Sequence, residues 1–171
     1  MFSHKSIIEN SGGVMLMNEE LIKVLLDRGN TFAVIGASRD PQKYGYQVYK
    51  DLKNAGYKVF AVNPHADKIL GDKCYPSLET LPVKPDVVNT VVPPKITDHI
   101  VETCKKLGIT RVWMQPGSES DKAIEFCKEN GISVVYGVCI MIERAKHGVS
   151  SQENTKSEGE DTHQEGDRSE K

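Results

Sequence analysis

Long apolar runs are missing from this chain. Its apolar stretches are short, far below the roughly 20 residues that a membrane-crossing helix needs. An export leader is not evident either, because polar Asn10 and Ser11 and the pair Gly12 and Gly13 stand where an apolar run should lie. Nor is there an excess of one charge: 22 basic and 24 acidic residues are mixed along the body, for a formal net charge of −2. Such a balance lacks the basic stripe that nucleic acid or an anionic membrane requires. Cysteine is sparse. Cys74, Cys104, Cys127 and Cys139 form no CxxC pair and have no neighbouring histidine, so no zinc or redox motif is encoded. Isolated cysteines without an export signal fit a reducing compartment, and the cytoplasm is expected.

What is present is alternation. Thr31 to Ala37 is a near-continuous apolar run, as expected of a strand buried on both faces. Tyr44 to Ala55 reads as a helix ending at Gly56, and Lys58 to Val62 as a second strand. A turn segment around Leu70, Gly71 and Asp72 precedes a third strand, Asp86 to Val92. Pro94 to Leu107 is a helix stopped by Gly108, followed by a strand from Thr110 to Met114. Ser118 to Asn130 is the next helix, Ile132 to Tyr136 the fifth strand, and Cys139 to Lys146 a last short helix. Strands alternating with helices of this length predict a Rossmann-like, doubly wound α/β fold: a five-stranded parallel sheet with helices on both faces. The fold class suggests the strand order 3-2-1-4-5.

The length of 171 residues suits one domain. Residues 1–16 show no sustained periodicity and are expected to be a disordered leader. A helical pattern begins at Met17, with Asn18 as N-cap and Gly29 as its stop; Met17 is read as the natural start, which a native mass beginning at Met1 would overturn. The domain is expected to span residues 17–148. Residues 149–171 have no aromatic residue and no aliphatic one beyond Val149, so they are expected to form a disordered polar tail.

In an open parallel sheet the binding crevice lies beyond the carboxyl ends of the strands. The first such loop, GASRDPQKYG, is the informative one. Gly36 permits the turn, and small Ala37 and Ser38 let backbone amides approach an anion beside a helix N-terminus. Arg39 and Lys43 can add charge-assisted contacts to phosphates. The competing reading is a plain tight turn. The dinucleotide fingerprint GxGxxG is absent: Gly36 and Gly45 flank a long insertion, and the second strand ends in Asn63–Pro64 instead of an acidic residue. That argues against NAD and admits either coenzyme A or NADP.

Taken together, GAS (Gly36 to Ser38), VNP (Val62 to Pro64), VP (Val92, Pro93) and WMQPG (Trp113 to Gly117) resemble the CoA-binding domain family. These are small Rossmann-type proteins similar to the nucleotide-binding domain of the succinyl-CoA synthetase alpha subunit, and the likeness covers roughly Leu21 to Glu143. The resemblance implies coenzyme A lying across the strand ends. Gly36, Ala37, Ser38 and Arg39 would hold the pyrophosphate, and Asn63, Pro64 and His65 would lie near the adenosine end. Val92, Pro93 and Pro94 would line the pantetheine path, with Gln115 and Gly117 closing the crevice. Many members end the fifth strand with Asp-Arg-Cys, where this chain has Gly137, Val138 and Cys139. The synthetase's phosphorylated histidine domain has no counterpart here, so the ligase reaction is not expected of this chain alone.

No catalytic or metal residues are assigned, since no histidine shares a ligand spacing with another and no acid–base set can be placed. Cys139 is read as a core side chain from its neighbours Val138, Ile140 and Met141, and Trp113 as a core or crevice wall. Three functions remain: a binding module for coenzyme A or acyl-CoA, an enzyme using acyl-CoA or NADP through Cys139 or His65, and a regulatory interaction subunit. Small doubly wound domains often pair, which leaves a homodimer open.

Overall fold

A computed structural model of the protein describes residues 18–148. The expected leader, the proposed start at Met17 and the expected polar tail lie outside the described residues. Helix α1 (Asn18–Leu25) leads into β1 (Thr31–Ile35), α2 (Tyr44–Asn54) and β2 (Lys58–Val62). Two short strands follow, β3 (Lys68–Ile69) and β4 (Asp72–Tyr75), then a 3-10 turn at Leu78–Thr80. The remainder is β5 (Val87–Thr90), α3 (Pro94–Leu107), β6 (Arg111–Met114), α4 (Asp121–Glu129), β7 (Ser133–Val135) and α5 (Ile140–Lys146).

The sheet has seven strands in the order β3-β4-β2-β1-β5-β6-β7, two more than the five expected. All neighbours are parallel except the antiparallel pair β3–β4. The order 3-2-1-4-5 also needs correcting for the five strands that were expected. The expected third strand (β5) pairs with β1, and the place beyond β2 belongs to β4. Counting β4 as the third parallel strand restores the order 3-2-1-4-5-6 of the dinucleotide-binding fold. No helix joins β2 to β4. The chain instead runs back through β3 and reverses at Leu70 and Gly71, whose φ angles of 50° and 79° mark a type I′ turn.

Side-chain alternation on β1 divides the core in two. Phe32 and Val34 pack with Val48 and Leu52 of α2, Leu21 and Leu25 of α1, Ile140 of α5 and Trp113. Ala33 and Ile35 face Val101 and Cys104 of α3 and Ile124 and Cys127 of α4. Helices α1, α2 and α5 thus cover one face, and α3 and α4 the other. Trp113 is fully buried, and its indole N–H donates to the Val138 carbonyl over 3.0 Å. Arg144 clamps α5 to α2 by donating two hydrogen bonds to Asp51, at 2.7 and 2.8 Å. Helix α4 starts three residues later than expected, at an N-cap Ser120 whose hydroxyl accepts from the Ala123 amide. The reason is that Ser118 turns inward, as described below.

Candidate functional site

The strand order reverses at β1: β2 lies on one side of it and β5 on the other. At its end the Gly36 amide donates to Val62 and the Val91 amide donates to Ile35, so the three strand ends are locked together. Gly36 has φ 92°, and a Cβ there would stand 2.3 Å from the Val91 carbonyl oxygen. Gly45, at the start of α2, sits just as tightly: its Cβ would meet the Gly36 oxygen at 2.0 Å. These two glycines do the steric work of the missing fingerprint, one in the turn and one where helix meets strand.

Between them the loop is braced by short-range bonds. The Asp40 amide donates to Ser38 Oγ, the Gln42 amide to Asp40 Oδ1 and the Lys43 amide to the Asp40 carbonyl. Asn63 straps the loop to β2. Its Nδ2 donates to the Ala37 carbonyl at 2.8 Å while its Oδ1 accepts from the His65 amide. Among the described residues, none accepts a hydrogen bond from the backbone amides of Ala37, Ser38 or Arg39. Arg39 and Lys43 are exposed, and Lys43 caps α2 without a side-chain cap bond.

Two clefts flank this loop along the carboxyl edge. The larger, about 540 Å³, is mostly apolar; its walls are Asn63, Pro64 and His65 after β2, Pro76 to Glu79 after β4, and Ile96 and Ile100 of α3. The smaller, about 350 Å³, lies between Tyr44 and the loops Val91 to Pro93 and Gln115 to Ser118. Val92 and Pro93 form the shared ridge.

A chain of buried hydroxyls holds the smaller cleft in shape. Ser118 Oγ lies 2.9 Å from Thr97 Oγ1 and donates to Thr90 Oγ1 at 2.8 Å. Opposite it, the Tyr44 hydroxyl lies 2.6 Å from Cys139 Sγ and 3.3 Å from Gln115 Oε1, and its single proton is donated to the nearer Cys139. Burial, and then the bond to Cys139, push the Tyr44 phenol well above its ordinary range, so it stays protonated and a donor. Cys139 is half-buried and edges this cluster, which corrects its reading as a core side chain.

The structure therefore gathers the sequence-derived candidates at one edge. Gly36, Asn63, Pro64 and His65 line the larger cleft, Gln115 and Gly117 the smaller, and Val92 and Pro93 both. Ala37, Ser38, Arg39 and Lys43 form the loop between, whereas Pro94 is the first residue of α3 and lines neither cleft. Sequence reasoning missed Tyr44, Ser118 and the Pro76 to Glu79 wall. Ser118 was hidden inside an over-long helix, and the wall follows a strand too short and polar to recognise. Among the described residues no group of acidic, histidine or cysteine side chains could hold a metal ion. No described helix is long and apolar enough to cross a membrane.

Comparison with known proteins bears on this edge. An uncharacterised Bacillus subtilis protein, YneT, is 31% identical over 124 residues, spanning 72% of this chain and 92% of that protein. Acetate–CoA ligase (ADP-forming) II of Archaeoglobus fulgidus is 36% identical over 114 residues. That match spans 60% of this chain but only 17% of the ligase. A solved structure of a hypothetical protein from Pyrococcus horikoshii OT3 superimposes with a TM-score of 0.72 at 37% identity, covering 77% of this chain and 92% of that one. The CoA binding domain matches residues 30–145, so the chain belongs to the CoA binding domain family.

Proposed function

We propose that this protein is a cytoplasmic binding module for coenzyme A or its acyl thioesters, laid across the carboxyl edge of the sheet. The observation that carries this reading is the row of amides at Ala37, Ser38 and Arg39, without an acceptor among the described residues, which meets the N-terminus of α2 beside two exposed cations. Backbone amides, helix dipole and guanidinium together suit a pyrophosphate. The apolar larger cleft offers a flat adenine its walls of Pro64, Ile96 and Ile100, with the exposed His65 at its mouth. From the pyrophosphate the pantetheine arm runs over the Val92–Pro93 ridge into the smaller cleft. Asn63 is a positioning residue in this scheme, because one end of its amide holds the Ala37 carbonyl and the other the His65 amide. The output is occupancy: the site recognises a nucleotide and a thiol-bearing arm.

Isothermal titration with coenzyme A tests this. Arg39 makes no ion pair among the described residues, so Arg39→Ala should leave the unliganded melting point in place. It should weaken coenzyme A by about tenfold, the worth of one charge-assisted phosphate contact. Equal affinity for wild type and variant would remove the phosphate from this loop.

A further inference from the structure

The larger cleft carries little charge. Of the described residues that line it, Glu79 is the one acid, and none is a lysine or an arginine. Two of its polar side chains are already committed: Asn63 holds the Ala37 carbonyl and the His65 amide, and Thr103 Oγ1 donates to the His99 carbonyl at 3.2 Å. Glu79 is exposed and makes no ion pair among the described residues, so its carboxylate is open to a ligand. Its backbone is nonetheless held. It stands in the 3-10 turn between Leu78, buried in one core cluster with Ile35 and Val62, and Thr80, whose Oγ1 donates to the Ser77 carbonyl at 2.7 Å. The turn thus presents a carboxylate to a cleft whose walls of Pro64, Ile96 and Ile100 are apolar.

Resting on the coenzyme A reading above, we propose that the Glu79 carboxylate accepts a hydrogen bond from the exocyclic amine of the adenine, which makes Glu79 the residue that selects the base. A carboxylate offers acceptors only, so it seeks a donor and repels a phosphate. The ligand's phosphates are drawn instead to the amides of Ala37 to Arg39 and to the exposed Arg39 and Lys43. Its uncharged end is therefore the end that enters beside Glu79, and the exocyclic amine is the hydrogen-bond donor of an adenine base. Contact of the ring faces with Pro64, Ile96 and Ile100 is blind to the substituents at the ring edge. A charge-assisted bond at that edge is not.

The test compares coenzyme A with its purine analogue, in which hydrogen replaces the 6-amine, by titration calorimetry on the full chain. Wild type should bind coenzyme A about fivefold tighter than the analogue. In Glu79→Ala that ratio should fall to about one, through weaker coenzyme A binding with the analogue little changed. The unliganded melting point should stay in place, since the side chain removed is exposed and outside every ion pair of the described residues. A wild-type ratio near one, or the same ratio in wild type and variant, would overturn the proposal while leaving coenzyme A binding intact. Both ligands weakened alike by the substitution would put the carboxylate on the ribose hydroxyls and overturn it too. Should neither compound bind wild type, the coenzyme A reading itself falls, and this proposal with it.

Discussion

Gly45→Ala separates two opposed expectations. Gly45 lies in α2, and φ there is not positive. On helix propensity alone, alanine should stabilise the protein by up to about 1 kcal/mol. The packing argues the reverse. The added Cβ would stand 2.0 Å from the Gly36 carbonyl oxygen and 3.4 Å from the Ala37 Cα, both of them backbone. No side chain can swing aside, so α2 must lift from the end of β1, where Gly36 is itself pinned between β2 and β5. Overpacking of this kind costs roughly 1–3 kcal/mol and here falls at the upper end. Set against the propensity gain, the net loss is about 1–2 kcal/mol. For a domain of this size that lowers the melting midpoint by roughly 4–8 °C. Differential scanning calorimetry on the wild type and the variant measures it. A midpoint equal to or above wild type would refute the claim that Gly45 is held by helix-to-strand contact.

Further outcomes follow from the charged and thiol groups. The Lys53 ammonium and the Tyr49 hydroxyl both donate to Asp72 Oδ2, which holds that carboxyl below its ordinary value. A carboxylate whose folded value is depressed adds stability above its unfolded value, near pH 4, and that stability is lost as pH falls through the folded value. The stability gap between wild type and Asp72→Asn should therefore be flat from pH 5 to 8 and close in acid; urea melts at stepped pH would expose a gap that widens instead. Burial pushes the Cys104 and Cys127 thiols up to about 12, whereas Cys139 is half-buried. Iodoacetamide at pH 8 should label native Cys139 well before Cys104 or Cys127, and mass spectrometry reads the order.

The helical pattern and the buried strands were legible because their signals are physical and local. Helix α3 spans Pro94–Leu107 as expected, since proline favours its first turn and Gly108, at φ 72°, closes it. Strand β2 likewise matches its expected range. By contrast, β3 and β4 carry two and four residues, and their burial depends on neighbours distant in sequence, so no periodicity announced them. The hairpin between them uses Leu70 where a turn of that type ordinarily has glycine or asparagine. Missing β4 misplaced the third strand and hid the wall of the larger cleft. At the site, the loop residues Gly36 to Arg39 were visible as a small-residue turn after an apolar strand. The pairing of Gln115 with Tyr44 and with the start of α5 was not visible, because it joins three segments far apart along the chain.

The central claim, that the edge accepts coenzyme A, is met most directly by thermal denaturation with coenzyme A, acetyl-CoA, NADP and NAD in parallel. A ligand bound only by the folded state adds about 2.7 kcal/mol at 100 times its dissociation constant, a rise of roughly 10 °C for a domain of this size. The account predicts that rise for coenzyme A and acetyl-CoA and little or none for NAD and NADP. A rise with NADP and none with coenzyme A would contradict it.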